Sequence, residues 1–63
     1  MNIPKKVWAK MPEGILKYQA VKYLNEHTVE EAIKRFSDSA TGSQIPGRSK
    51  EAAAVAAALE LMR

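Results

Sequence analysis

The chain has 63 residues, a formal net charge of +3 and no cysteine, so it is short enough to form one domain only and cannot form a disulfide. With one histidine and no cysteine it also lacks the four nitrogen or sulfur ligands of a closed structural zinc site. Because no apolar run approaches the ~20 residues of a membrane span and the N-terminus lacks the apolar segment of a signal peptide, we expect a cytoplasmic protein with no membrane partner.

Residues 1–11 predict a short helical segment. Pro4 suits a first helical turn, and Val7, Trp8 and Met11 fall on one side of the helix that follows. Trp8 has two interpretations: a core anchor, or an exposed ring between lysines that stacks on a base or rests on a membrane surface. We favour the core, because the only tryptophan of so small a domain is the largest apolar side chain that it can bury.

A second helix is predicted over residues 12–26, because Pro12 fits a first turn and Glu13 is favourable next to a helix N-terminus. Ile15, Tyr18 and Val21 lie away from the main apolar face of this helix. The second apolar side either contacts another helix or serves a partner, and we expect it to be buried within the monomer. The main face carries apolar side chains at helical spacing: Leu16, Ala20, Tyr23 and Leu24.

The clearest element is a helix over residues 28–37. Thr28 and Glu31 have the spacing of a capping box, in which each side chain accepts a hydrogen bond from the backbone N–H of the other residue. We expect this amphipathic helix to be the centre of the fold, with the rest of the chain covering its apolar face. That face repeats at positions i, i+3, i+4 and i+7: Val29, Ala32, Ile33 and Phe36.

Residues 37–48 predict a loop, since they have no periodicity and are rich in serine, threonine and glycine. Twelve residues exceed the roughly two to eight that usually connect helices, so we expect the loop to be either functional or mobile. Pro46 and Gly47 are typical of a type II turn, and Ile45 is expected to dock against the core.

The last helix is predicted over residues 49–62, with Ser49 as its N-cap. Six of residues 52–58 are alanine, which gives a high helix propensity and lets another backbone approach closely. A monomer would leave one alanine face against water, so we expect a homodimer or a contact with another protein. The predicted partner interface is Ala53, Ala54, Ala57, Ala58 and Leu61.

Residues 42–49 have the outline of a phosphate-binding P-loop, G-x-x-x-x-G-K-S, with arginine in place of lysine. A P-loop follows a buried strand of a parallel sheet, which 63 residues cannot supply, so we do not expect nucleotide hydrolysis. Cations and free helix N–H groups nevertheless favour an anion at this point. The predicted nucleic-acid or anion-binding residues are Lys5, Lys6, Lys10, Arg48, Ser49 and Lys50.

Catalysis is not predicted. The single histidine, His27, and the single aspartate, Asp38, lie in different segments, and nothing resembles a nucleophile elbow. Glu30 and Glu31 are explained by their place in the first turn of a helix. We therefore expect no enzyme, no cofactor, no metal and no small-molecule substrate.

Residues 27–37, His-Thr-Val-Glu-Glu-Ala-Ile-Lys-Arg-Phe-Ser, resemble the first helix of the helix-turn-helix unit in small repressors and transposase-type domains, with Ala32 facing the second helix. The resemblance implies DNA binding through a recognition helix. The chain departs from the pattern because the turn should last about three or four residues, whereas twelve precede Ser49. The last helix also presents methyl groups where a recognition helix presents arginine, asparagine, glutamine or serine to base edges.

The predicted fold class is all-α, with a single domain over residues 1–63. It is a small three-helix bundle with a short N-terminal helical segment and a long loop before an alanine-rich C-terminal helix. The predicted function is non-enzymatic binding of nucleic acid, mainly at phosphates, by a helix-turn-helix-like regulatory protein of the phage or plasmid kind. The alternative is a protein interaction module or inhibitor that acts through an apolar helix face or the 37–48 loop.

Overall fold

A computed structural model describes residues 3–42, 45 and 47–63, and within these ranges it contains helices and no strand. This confirms the all-α class and the bundle of three main helices preceded by a short N-terminal helix. No helix in the described ranges has both the length and the apolar character needed to cross a membrane. In chain order the helices are α1 (Lys5–Lys10), α2 (Ile15–Leu24), α3 (Val29–Gly42) and α4 (Arg48–Glu60).

The centre of the fold is α4 and not, as expected, the helix that begins after Thr28. α4 contacts α1, α2 and α3, and its pairing with α3 is the most extensive in the bundle. Val55 and Leu59 are its largest fully buried side chains. Three alanines are buried on the same helix, and their short side chains allow the neighbouring helices to approach α4 closely: Ala52, Ala56 and Ala58.

One face of each remaining helix completes the core. The apolar stripe predicted for α3 is buried through Ala32, Ile33 and Phe36, with Val29 partly buried beside it. The predicted main face of α2 is also buried, apart from the partly exposed Tyr23. The core residues from α1, its C-terminal end and α2 are Val7, Met11, Leu16, Ala20 and Leu24.

The predicted capping box is confirmed at the start of α3. The backbone N–H of Thr28 donates to Oε1 of Glu31 at 2.9 Å, and the N–H of Glu31 donates to the Thr28 hydroxyl at 3.2 Å. The carbonyl of Thr28 accepts the bond from the N–H of Ala32 at 3.0 Å. α3 therefore begins where its sequence places the cap.

α3 is longer than predicted, because residues 37–42 continue the helix and are not a loop. The connection between α3 and α4 is reduced to the five residues 43–47, of which 43, 44 and 46 lie outside the described residues. Ala40 is partly buried against the core, so it extends the apolar stripe by one more turn. The Thr41 hydroxyl donates to the Ser37 carbonyl at 3.1 Å, which satisfies a polar side chain within the helix.

The start of α2 is capped from a distant part of the chain. The backbone N–H of Leu16 donates to Oε2 of Glu51 at 3.1 Å, so a carboxylate of α4 occupies the N-terminal end of α2. Gly14, the N-cap residue, has a φ of 153°, which favours glycine. A β-carbon at position 14 would lie 2.8 Å from Cδ of Glu51, so glycine is also required by the close approach.

The start of α4 differs from the prediction of a Ser49 cap. The helix begins at Arg48, its N-cap is Gly47, and no side chain caps it by a hydrogen bond. Gly47 adopts a left-handed conformation, with φ 83° and ψ −26°, and places the N-cap two residues earlier than expected. Ser49 is consequently the second helical residue.

Three apolar side chains that were expected to be buried are exposed. Ile15 and Tyr18 are each 60% exposed, so the second apolar side of α2 is not covered within the monomer. Ile45, expected to dock against the core, is 57% exposed. The reason in α2 is geometric: α3 and α4 cover the side that carries Leu16 and Ala20, whereas Tyr18 meets α1 only through an edge contact with Trp8.

Trp8 is partly buried and packs against the core without forming its centre. Its ring makes an edge contact with Tyr18, with the ring centres 5.5 Å apart. The Lys17 ammonium lies 4.1 Å from the centre of the Trp8 ring and 3.1 Å from Oε1 of Glu13. Trp8 therefore covers a buried cation, since the Lys17 side chain is only 4% exposed.

Candidate functional site

α1 and the outer side of α4 border a shallow depression of about 490 Å³, here named the basic groove. Lys6 and Lys50 flank the groove. Lys6 lies one helical turn before Lys10 on α1, and Lys50 lies one turn before Ala54 on α4. Lys6, Lys10 and Lys50 are all exposed. The lining of the basic groove is Lys10, Ala54, Ala57, Ala58 and Leu61.

The six predicted anion-binding residues do not form one cluster. Lys5 is exposed at the start of α1, but it projects from that helix about 100° away from Lys6. Positions 48 and 50 of a helix are about 200° apart, so Arg48 leaves α4 on the side opposite to Lys50. Ser49 is half-buried between these two sides. The structure thus places lysines on one side of α4 and Arg48 on the other.

Arg48 lines a second depression with groups that the sequence did not single out. This depression has a volume of about 320 Å³, and Arg35, Gln19 and Ser39 line it together with Arg48. The four side chains come from three different helices, so no spacing in the sequence indicates that they meet. Of these four residues, Arg48 was the one predicted from the sequence to bind an anion, because it lies next to a helix N-terminus.

The carboxylates of α4 do not neutralise the lysines of the basic groove. Glu51 accepts the bond from the Leu16 N–H, and Glu60 pairs with Arg63 at 3.7 Å. Within the described part of the chain, neither Lys10 nor Lys50 forms an ion pair. The basic groove therefore keeps an uncompensated positive charge.

The predicted partner interface is mostly available on the outer side of α4. Ala53 and Ala57 are exposed, Ala54 is half-buried and Leu61 is 58% exposed. Ala58 is only 3% exposed and contributes no more than the floor of the basic groove. Small side chains at these positions would let the backbone of a second helix come close.

The titration of Glu31 is changed by the hydrogen bonds of the capping box. The backbone N–H of Thr28, then its hydroxyl, hold the pKa of Glu31 below its ordinary value of 4.5, and the nearby His27 contributes in the same direction. His27 stacks on Tyr23 with the ring centres 4.0 Å apart, and its Nδ1 lies 3.8 Å from Oε1 of Glu31. These contacts fix the junction between α2 and α3.

Neither a metal site within the described ranges nor a known relative indicates a function for this chain. Among the residues that the structure describes, no three histidine, aspartate or glutamate side chains group as potential metal ligands. No family model, curated protein or solved structure matches the chain. The shape and charge of its surfaces are therefore the features that point to a function.

Proposed function

We propose that this chain is a non-enzymatic module that binds nucleic acid through its phosphates, with the basic groove as the contact surface. The observation that carries the proposal is the position of Lys10 beside the outer side of α4, where it adds to the charge of Lys50. Cations with no internal ion-pair partner contribute to affinity by releasing the counterions of the nucleic acid. A small regulatory protein of this kind would need no catalytic group.

Binding through this surface is expected to depend weakly on sequence. The outer side of α4 presents the methyl groups of Ala54 and Ala57, which do not offer the hydrogen bonds that distinguish base pairs. Phosphate contacts position a protein on the duplex but carry no sequence information directly. The five-residue connection between α3 and α4 is close to the short turn of a helix-turn-helix, yet from Ala52 to Leu59 α4 lacks the polar side chains of a recognition helix.

The test is the salt dependence of binding to a labelled DNA duplex, measured by fluorescence anisotropy. Each phosphate contact contributes about 0.9 to the slope of log K against log salt. The double variant Lys10→Ala with Lys50→Ala should therefore lower the slope by roughly 1.8.

The control is the double variant Lys22→Ala with Lys34→Ala, which has the same net charge. Both of these lysines are exposed, on α2 and α3, and neither lines the basic groove. The control should keep most of the wild-type slope. The proposal is wrong if the wild type does not bind at low salt, or if the two double variants lose affinity equally.

A second candidate is self-association through the same outer side of α4. If two copies of α4 pack antiparallel about a point between Ala54 and Ala57, Lys50 of one copy lies near Glu60 of the other. This pairing is complementary in charge, and the alanines at the crossing allow close packing. The exposed Leu61 would be covered at each end of the contact.

A further inference from the structure

The depression lined by Gln19, Arg35, Ser39 and Arg48, here named the arginine depression, lies between α2, α3 and the start of α4. Each of these four side chains has a hydrogen-bond donor, and the guanidinium groups add two positive charges. Among the described residues, no acidic side chain lines the depression, and Leu16, Gly42 and Ile45 also line it. The surface is therefore built to contact an anion.

The charge of the two arginines is not neutralised inside the protein. Within the described ranges neither Arg35 nor Arg48 forms an ion pair. Glu31 and Asp38 line a neighbouring depression on the other side of Arg35, but no ion pair joins them to its guanidinium. Arg35 is instead held by an aromatic ring, because its Cζ lies 5.6 Å from the centre of the Tyr23 ring.

The start of α4 adds to the positive potential of this region. Its N-cap is Gly47, which has no side chain to cap the helix, and the carboxylate of Glu51 in its first turn accepts a hydrogen bond from the Leu16 N–H of α2, so the positive end of the α4 dipole faces this region. Arg48 is the first residue of that helix. The arginine depression therefore combines two guanidinium groups with a helix N-terminus.

We propose that the arginine depression binds the phosphate group of a phosphate monoester. A guanidinium group is a planar fork that binds two oxygens of a phosphate at once, and two such groups match the double charge of a monoester better than the single charge of a diester. The volume of about 320 Å³ admits a phosphate with a small substituent. This site goes beyond the proposed function, because it shares no residue with the basic groove.

The experiment is an NMR titration of the ¹⁵N-labelled protein with inorganic phosphate at neutral pH and constant ionic strength. We expect saturable shifts of the Gln19 side-chain amide and of the Nε–H signals of Arg35 and Arg48. Arg35→Gln and Arg48→Gln should each weaken binding at least about tenfold, because each removes a charge-assisted hydrogen bond. Amide spectra of both variants check that the fold is intact.

The matched control is Lys50→Gln, which removes one charge from the same helix on the opposite side and should leave phosphate binding unchanged. Dimethyl phosphate, a monoanionic diester, should bind more weakly than inorganic phosphate. Shifts that do not saturate, equal weakening by Lys50→Gln, or equal binding of the diester would each overturn the proposal. Phosphate binding that survives Lys10→Ala with Lys50→Ala separates this site from the basic groove.

Two sources of a monoester are then distinguished by competition. A short oligonucleotide with a 5′-phosphate and the same oligonucleotide with a 5′-hydroxyl are each added to the phosphate-saturated protein. A small sugar phosphate is added in a third experiment. If only the 5′-phosphorylated oligonucleotide displaces phosphate, the arginine depression binds the end of a nucleic acid. If only the sugar phosphate displaces it, the depression binds a free phosphate ester.

Discussion

Gly14 and Glu51 illustrate how two residues far apart in the sequence depend on each other. The carboxylate of Glu51 reaches the N–H of Leu16, in the first turn of α2, only because position 14 has no side chain. Gly14→Ala should lower the free energy of unfolding by about 1–3 kcal/mol, since alanine disfavours this backbone conformation and its methyl group would displace the carboxylate. Urea denaturation followed by circular dichroism measures the change.

Gly42→Ala is the control for this substitution. A β-carbon at position 42 would contact nothing within 4 Å, and Gly42 is in the last turn of α3 without a positive φ. Alanine is the better helix former, so the control should be as stable as the wild type or slightly more stable. Equal loss in both variants would mean that Glu51 does not approach Gly14 in solution.

The capping box makes part of the stability depend on pH. Because the pKa of Glu31 is lowered on folding, its ionised form stabilises the protein fully above the ordinary value of 4.5, and this contribution is lost as the pH falls through the lowered pKa. Glu31→Gln keeps the spacing of the capping box but cannot ionise. The wild type should therefore melt at a higher temperature than Glu31→Gln near neutral pH, and the difference should shrink in acid.

Glu30→Gln serves as the charge-matched control, because Glu30 is exposed in the same turn of α3. Its melting temperature should stay closer to that of the wild type than that of Glu31→Gln near neutral pH, and the difference should change little as the pH falls. If the two variants behave alike, the pH dependence comes from general repulsion and not from the hydrogen bonds of Thr28.

Residue contacts could be predicted from the sequence where they are local. Thr28 and Glu31 are three positions apart, and the pattern alone identified their hydrogen bonds. The bond between Leu16 and Glu51 spans 35 positions, so only the packing of α2 on α4 brings its partners together. Glu51 lies in the first turn of its own helix, α4, but its carboxylate caps α2.

At the scale of the elements, the length of α3 is the main difference from expectation. Serine and aspartate at positions 37–39 have low helix propensity, which favoured a loop. Packing against α4 outweighs this preference, because the last turns of α3 continue the most extensive helix pair of the bundle. Helix propensity is worth less than 1 kcal/mol per residue for such side chains, so tertiary contacts readily exceed it.

Ser39→Pro tests the helical conformation of this segment. Proline removes a helix hydrogen bond and clashes with the preceding turn, so the variant should lose about 3 kcal/mol of stability. In a loop the same change would have little effect. Thermal denaturation followed by circular dichroism gives the result.

Ser39→Ala at the same position should be at least as stable as the wild type, because alanine is a better helix former and no hydrogen bond of the Ser39 side chain holds the described structure together. A proline variant as stable as the alanine variant would show that residues 37–42 are not helical.

The orientation of α4 could not be predicted from its alanines. A helix with alanine on nearly every side has little periodicity, so the sequence gives no preference between Ala52 and Ala53 for the core. The structure buries Ala52 and exposes Ala53. Val55 and Leu59 are larger and lie four positions apart, a spacing that indicates the buried side, and both side chains are fully buried.

At the scale of the whole molecule, the outer side of α4 leads to a prediction of assembly. If it pairs with a second copy, the wild type should form a dimer whose proportion rises with concentration in sedimentation experiments. Ala57→Arg should shift the equilibrium to the monomer, since a long charged side chain at the crossing point prevents close approach. Ala57 is exposed, so the fold should not change.

Ser37→Arg adds the same side chain to an exposed position of α3 and should leave the dimer unaffected. A wild type that stays monomeric at all concentrations would contradict self-association. Dimerisation that survives Ala57→Arg would place the contact elsewhere, for example on the uncovered side of α2 with Ile15 and Tyr18.

The charge of the surface could be predicted in amount but not in arrangement. The excess of lysine in the first third of the chain is visible in the sequence, and the structure shows that α1 carries Lys10 to the outer side of α4. The separation of Arg48 from Lys50 follows from the helical rotation once the start of α4 is known. The meeting of Arg35 with Arg48 depends on the packing of three helices and has no counterpart in the sequence.

The position of α4 at the centre also determines when this domain can fold during synthesis. The ribosome makes α1, α2 and α3 before the helix on which all three pack. Until then Ile33 and Phe36 lack their cover, and the N-terminus of α2 lacks the carboxylate of Glu51. The nascent chain should remain largely unfolded and open to chaperones up to that point. A chain that stops at Gly47 should accordingly show little helix by circular dichroism, and a strong helix signal from it would mean that α1–α3 fold without α4.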